Sequence, residues 1–219
     1  MQATIELTAL NRSEALRYMG YKSLEINTET KNFLDASEKI IVENAKPKTI
    51  WRLFERHNCP LDLFTRAGKD IAIHLANCTH VVFLAATIGA QVDMLIRRLQ
   101  VSDMSKALFA DCLASVAIEQ VCDKLEAAIM QEVSKKLGTM YFTSRYSPGY
   151  GDFSLSIQGA FLRILDATRK VGISVTDGGL MIPVKSVSAI IGLSDKPLEK
   201  KRRNCVSCPR KKTCTYANA

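Results

Sequence analysis

"DMSKALFADCLASVAIEQVCDKLEAAIMQEVSKKL", residues 103–137, holds no proline or glycine, and Gly138 follows it directly. Phe109, Leu113, Val116, Ala117, Val121, Leu125, Ala128, Ile129, Val133 and Leu137 recur within it at intervals of three and four. That spacing is one face of a helix packed on a core. Ser102 stands just before the stretch and is placed to cap it. The other side breaks the usual pattern. Leu108, Cys112, Ser115 and Cys122 surround Glu119 where a solvent-facing stripe would carry lysines and glutamates. The helix is therefore expected to be covered on both sides, with a carboxylate on its small-residue face.

On the N-terminal side of this helix, "AQVDMLIRRLQ" (90–100) is amphipathic with a helical period, and "THVVFLAATIG" (79–89) is a buried strand candidate closed by Gly89. "GKDIAIHLANC" (68–78) reads as a short helix and "KTIWRLFE" (48–55) alternates loosely as a strand. "TETKNFLDASEKIIVENAK" (28–46) is helical by spacing, with Pro47 after it. "NRSEALRYMGYK" (11–22) opens on Asn11-x-x-Glu14, a capping box, and stops at Gly20. On the C-terminal side, "GTMYFTSRYSPGYGDF" (138–153) runs extended into a loop. "LSIQGAFLRILDATRKVG" (155–172) reads as one helix with Ser154 or Ser156 as cap. "ISVT" (173–176) and "LMIPVKSVSAIIGLS" (180–194) are extended pieces separated by the turn signal "DGG". The fold class that follows is α+β: a mainly antiparallel sheet with packed helices, including one long central helix.

Composition narrows the classes of function. Of 219 residues, 47% are hydrophobic and 24% charged, which is globular. The longest apolar run, near "VVFLAATIGA", is about half of the roughly 20 residues a membrane helix needs. "MQATIELTAL" has no basic n-region, so no signal peptide is expected. Seven cysteines, an odd number, read as reduced thiols in the cytoplasm. The net charge of +8 is uneven: from Asp195 onward, eight basic side chains face two acidic ones, so six of the eight charges lie in the tail. Residues 1–195 are expected to form the body and 196–219 a basic, cysteine-containing tail.

"SRYSPGYGDF", residues 144–153, gathers binding chemistry into one loop. Arg145 offers a planar fork for a carboxylate or phosphate. Pro148 and Gly149 make a tight turn with no side chain at 149, so a ligand can approach the backbone. Tyr146 and Tyr150 supply aromatic faces that stack on flat rings and attract cations. Such a site suits a ligand with both charges and a ring. The same residues also make a proline turn with packed tyrosines, and spacing alone does not separate the two readings.

The loop resembles the Arg-x-x-x-Gly-Tyr motif of the activation domain of cobalamin-dependent methionine synthase, through Arg145, Gly149 and Tyr150, with Pro148 as the family has it. "NRSEALRYMGY" is similar to the entry of the short, free-standing members. The run from Ala85 to Glu126 is similar to their central helices, and "MIPVKSVSAIIGLS" to their Pro-x-x-Ser-Val-Ser segment. The resemblance implies a fold with S-adenosylmethionine bound at Arg145, Tyr146, Pro148, Gly149 and Tyr150. It implies a methyltransferase component that supports reductive methylation of cob(II)alamin carried by a partner and is inactive in isolation. A positive sulfonium favours a nearby carboxylate, for which Glu119 is the candidate and Asp123, one turn on, a lesser one. Glu119 also reads as an ordinary helix-surface acid. No catalytic residue is assigned.

Some family features are absent. His57, His74 and His80 do not fit the cobalt-ligating Asp-x-His-x-x-Gly motif, so the cobalamin is expected on a separate methionine synthase chain. The family's paired tyrosines have no counterpart in "SAIIGLSDKP", and Ser154 stands where short members often have proline. The tail adds "CVSCPRKKTC", where Cys205, Cys208 and Cys214 are candidate ligands for zinc or an iron–sulfur centre. Cys59 or His57 would have to complete a four-ligand site; otherwise the tail is a reduced segment. Its basic charge suits an acidic partner such as a flavodoxin-like electron donor. Nucleic acid is disfavoured, because Tyr216 is the tail's one aromatic. Two alternatives remain: a reactivator of another corrinoid methyltransferase, and a non-catalytic protein binding metal or nucleic acid through its tail.

Overall fold

A computed structural model describes residues 1–21, 25–60 and 68–198. Four strands form one antiparallel sheet in the order β1 (Lys48–Glu55), β2 (His80–Thr87), β6 (Ser186–Ser194), β3 (Tyr141–Phe142). A second, two-stranded sheet pairs β4 (Ser174–Val175) with β5 (Met181–Ile182). Seven α-helices are present among the described residues: α1 (Arg12–Tyr18), α2 (Thr28–Asn44), α3 (Lys69–His74), α4 (Ala90–Ser102), α5 (Met104–Leu137), α6 (Gln158–Leu165) and α7 (Ala167–Val171).

The main sheet is buried on both faces, which explains why β2 is apolar without a break from Val81 to Ala86 rather than alternating. Strand side chains point to opposite faces in turn. Trp51, Val82, Leu84, Ala86, Ala189, Ile191 and Leu193 join one core, which includes Leu16 of α1, Leu34 and Ile41 of α2, Val92 and Ile96 of α4 and the apolar face of α5. Ile50, Val81, Phe83, Ala85 and Ile190 join the other, with Ile71 of α3 and Phe161, Leu162 and Leu165 of α6. The Phe83 and Phe161 rings stack at 4.7 Å in that second core. Gln158, buried at the start of α6, donates to Ser188 Oγ of β6 at 2.7 Å and satisfies two polar groups within it.

Helix α5 spans about 50 Å and buries Phe109, Leu113, Val116, Ala117, Val121, Leu125, Ile129 and Val133, as its spacing predicts. Coverage on its second side is partial. Cys112 and Cys122 are buried, but Leu108 is exposed, and at the far end of the first stripe Leu137 is exposed too. The cap also differs from expectation. Ser102 is the last residue of α4, and Asp103 caps α5 by accepting from Lys106 N at 3.0 Å. Asp103 is extended (φ −158°), so the chain turns there and a single aspartate separates two helices.

Asn11 caps α1 by accepting from Glu14 N. The Glu14 side chain does not close the box; it pairs with Arg17 instead. The expected single helix over 155–172 is two. Ser154 caps a 3-10 turn leading into α6, and Asp166 then adopts a left-handed conformation (φ 55°) that ends α6 and starts α7. Asp166 pays little for that conformation, because aspartate tolerates it better than most residues, and its carboxylate pairs with Arg169.

Candidate binding site

Two cavities lie side by side along α5, sharing Glu119. The smaller, about 360 Å³, is lined by Glu119, Asp123, Glu126, Ser144, Arg145, Tyr146, Ser147, Tyr150 and Val187. The larger, about 680 Å³, is lined by Arg17 and Tyr18 of α1, by Asp111, Cys112, Ser115 and Ile118 of α5, and by Val184–Ser186.

The alternation of an extended chain sets up the smaller cavity. Tyr146 forms an isolated bridge to Ile190 of β6, each donating its N–H to the other's carbonyl at 2.9 Å. Adjacent residues then face opposite sides of the sheet. Tyr146 goes into the second core and Arg145 goes out toward α5. Arg145 Nη1 donates to Glu126 Oε2 at 2.8 Å, and Nη2 donates to Asp123 Oδ1 at 2.7 Å and Glu119 Oε2 at 3.2 Å. Glu119, Asp123 and Glu126 stand at i, i+4 and i+7 on one helix face, so one guanidinium reaches all three. Burial works to lower the Arg145 pKa, but the Asp123 hydrogen bond and the surrounding carboxylates outweigh it, and the net shift is upward. Cys122 behind the cluster has its thiol pushed up to about 12 by burial first, so it stays neutral. With three carboxylates against one guanidinium, the cluster carries a surplus of two negative charges.

The loop itself is tightly tied. Gly149 N donates to Phe153 O at 2.7 Å, Tyr150 N to Ser147 O, and Phe153 N to Tyr150 O. Gly149 has φ +95°, which a side chain rarely adopts, and Leu155 Cδ1 borders the space at its Cα. Pro148 is buried and Tyr150 exposed. Tyr146 is 2% exposed; its ring packs against His74 and Phe153 at centroid distances of 5.0 and 5.8 Å. It supports the loop from beneath instead of offering a free face to a ligand.

Of the sequence-predicted residues, Arg145, Tyr146, Tyr150, Glu119 and Asp123 line one cavity. Glu126 escaped sequence reading, although its i+7 spacing from Glu119 could have found it. Lys185 also went unnoticed inside the "IPVKSVS" segment. It pairs with Asp111 Oδ1 at 2.8 Å and donates to Ser115 Oγ at 2.8 Å on the floor of the larger cavity. Cys205, Cys208 and Cys214 lie outside the described residues. Cys59 is buried, with its thiol pushed up to about 12 by desolvation, while His57 pairs with Glu55. Among the described residues, no three histidine, cysteine, aspartate or glutamate side chains form a metal-binding group, and no helix is long and apolar enough to cross a membrane.

Residues 69–198, more than half of the chain, match the family "Vitamin B12 dependent methionine synthase, activation domain". Among solved structures, the fold is similar to the crystal structure of the MetH reactivation domain bound to AdoHcy, at a TM-score of 0.58 and 12% identity. That match covers 84% of this chain and 74% of the other. No curated protein matches the sequence.

Proposed function

Because the chain belongs to the family of vitamin B12-dependent methionine synthase activation domains, we propose that it binds S-adenosylmethionine across the Arg145 loop and supports reductive methylation of cob(II)alamin carried on another chain. The observation that carries this reading is the Arg145 cluster, a guanidinium fork set among three carboxylates. S-Adenosylmethionine has a carboxylate, an ammonium, a sulfonium and a flat ring. Its carboxylate can take the place of Glu119 or Asp123 on Nη2, which those two side chains share. The released acids then face the ammonium and the sulfonium, and the surplus negative charge favours a ligand of net positive charge. The adenosine extends past Glu119 into the larger cavity, where Tyr18 and Ile118 offer apolar walls and Arg17, Ser115 and Ser186 polar groups. Each cavity's volume is in the range of small-molecule sites.

In this reading the sulfonium supplies the methyl group and the partner's cobalamin supplies the acceptor. This chain's residues bind and orient: Arg145 fixes the carboxylate end, the acids hold the cationic centre, and the open side at Tyr150 leaves the methyl approachable. Alignment of donor and acceptor supplies much of the rate, so the partner docks over the loop and leaves again. The AdoHcy in the similar structure supports this reading, since AdoHcy is what remains of S-adenosylmethionine after methyl transfer.

The test is reconstitution. Isolated protein should make no methionine from homocysteine. Added with a reductant and S-adenosylmethionine to a partner arrested as cob(II)alamin, it should restore methylcobalamin in the visible spectrum. Full recovery of the partner without this chain would overturn the proposal. A flavodoxin-like reductant and a cytoplasmic setting fit the same reading. The proposal that residues 196–219 form a separate tail binding zinc or iron rests on the C-x2-C-x5-C spacing. Protein purified without oxygen should then carry stoichiometric metal that a triple serine variant loses; metal-free protein refutes it.

A further inference from the structure

Helix α3 grips the 144–153 loop at three points. Asp152 Oδ2 accepts from Lys69 N at 2.7 Å and Oδ1 from Asp70 N at 2.9 Å, closing the first turn of α3. Tyr146 OH lies 3.4 Å from Asp70 Oδ2 and donates to Tyr150 O at 3.3 Å. His74 Nε2, at the other end of α3, lies 3.0 Å from the Ser144 carbonyl. A carbonyl only accepts, so Nε2 carries the proton.

The contact is reciprocal at the backbone. A side chain at Gly68 would collide with Asp152 Oδ1, and one at Gly151 with Asp70 Oδ2 and Tyr146 Oη. Each aspartate lies over the other segment's glycine, and both glycines have positive φ. Ile71 anchors α3 in the second core, so this clasp ties the loop to a fixed element.

We propose that Asp152 is a positioning residue for ligand binding. It holds the loop on α3, Asp70 and His74 complete the grip on Tyr146 and Ser144, and Arg145 between them is aimed at the acidic face of α5. Asp152 is exposed, so its loss should loosen the loop without unfolding the domain. This inference rests on the reading that S-adenosylmethionine binds at Arg145.

Calorimetry with S-adenosylmethionine, thermal unfolding and amide exchange on the full chain test it. Asp152→Ala should weaken binding at least about fivefold, since two charge-assisted backbone hydrogen bonds are lost. Its unfolding midpoint should stay within about 4 °C of the parent. The Lys69 and Asp70 amides should exchange faster in the variant. Asp152→Asn keeps one acceptor and should recover part of the affinity; it also carries the test if the alanine variant does not fold. Wild-type affinity in both variants overturns the inference, as does a loss of affinity that tracks a collapse of the midpoint in both. Failure of the parent to bind, or unchanged binding in Arg145→Ala, strikes the underlying reading instead.

Discussion

Glu119 Oε2 lies 3.2 Å from Arg145 Nη2, and Glu119 is the residue common to the walls of both cavities. The acid is half-exposed, while the guanidinium is largely covered. A group that takes over Nη2 therefore releases a carboxylate at the junction of the cavities.

Arg145→Ala should weaken S-adenosylmethionine binding about tenfold or more, because a bidentate charged contact contributes roughly 1.5–3 kcal/mol. Titration calorimetry checks this. Unchanged affinity would remove the loop from the site.

The surplus charge should distinguish the methyl donor from its product. S-Adenosylmethionine carries one more positive charge than S-adenosylhomocysteine, and a charge pair at about 4 Å near water contributes roughly 1 kcal/mol. Glu119→Gln should thus narrow the preference for the methyl donor about fivefold. Rising salt should narrow it in the parent as well. A preference unmoved by either change would show that the acids do not face the sulfonium.

Leu125 of α5 is fully buried in the first core. Leu125→Ala should cost about 2–5 kcal/mol in denaturant unfolding. Leu108→Ala, on the exposed turn of the same helix, should stay within about 0.5 kcal/mol. Equal losses would mean that the helix buries a different face.

The Asp152 clasp has a defined pH window. Hydrogen bonds from the Asp70 and Lys69 N–H groups hold its carboxyl below the usual aspartate range. A depressed carboxylate pKa contributes where the group is ionised, so the clasp is complete above about pH 4 and is lost as pH falls through the folded value. The Lys69 and Asp70 amide resonances should report a titration below about pH 4. Amides that stay flat across that range would show that the contact is not made in solution.

Local patterns determined much of this protein. The threes and fours of α5, the apolar run of β2 and the Asn11 cap depend on residues within a turn or strand of one another, so a one-dimensional reading captures them. The same holds for the chemistry of the "RYSPGYGDF" loop, whose arginine, proline and glycine declare their conformational and charge preferences by type. Other features had to await the fold. Ser102 and Asp103 are both competent caps, and the choice between them was made by where the chain turns from α4 into α5. The helix read through 155–172 broke at Asp166, since packing both α6 and α7 on the second core demands a change of direction that propensity does not encode. Tyr146 and Arg145 look equally available in sequence. The bridge to Ile190 sends one into the core and the other to Glu126, 19 positions earlier in the chain. Such pairings are selected by strand register and by burial on both faces of the sheet, which are properties of the assembled layers and not of any segment alone.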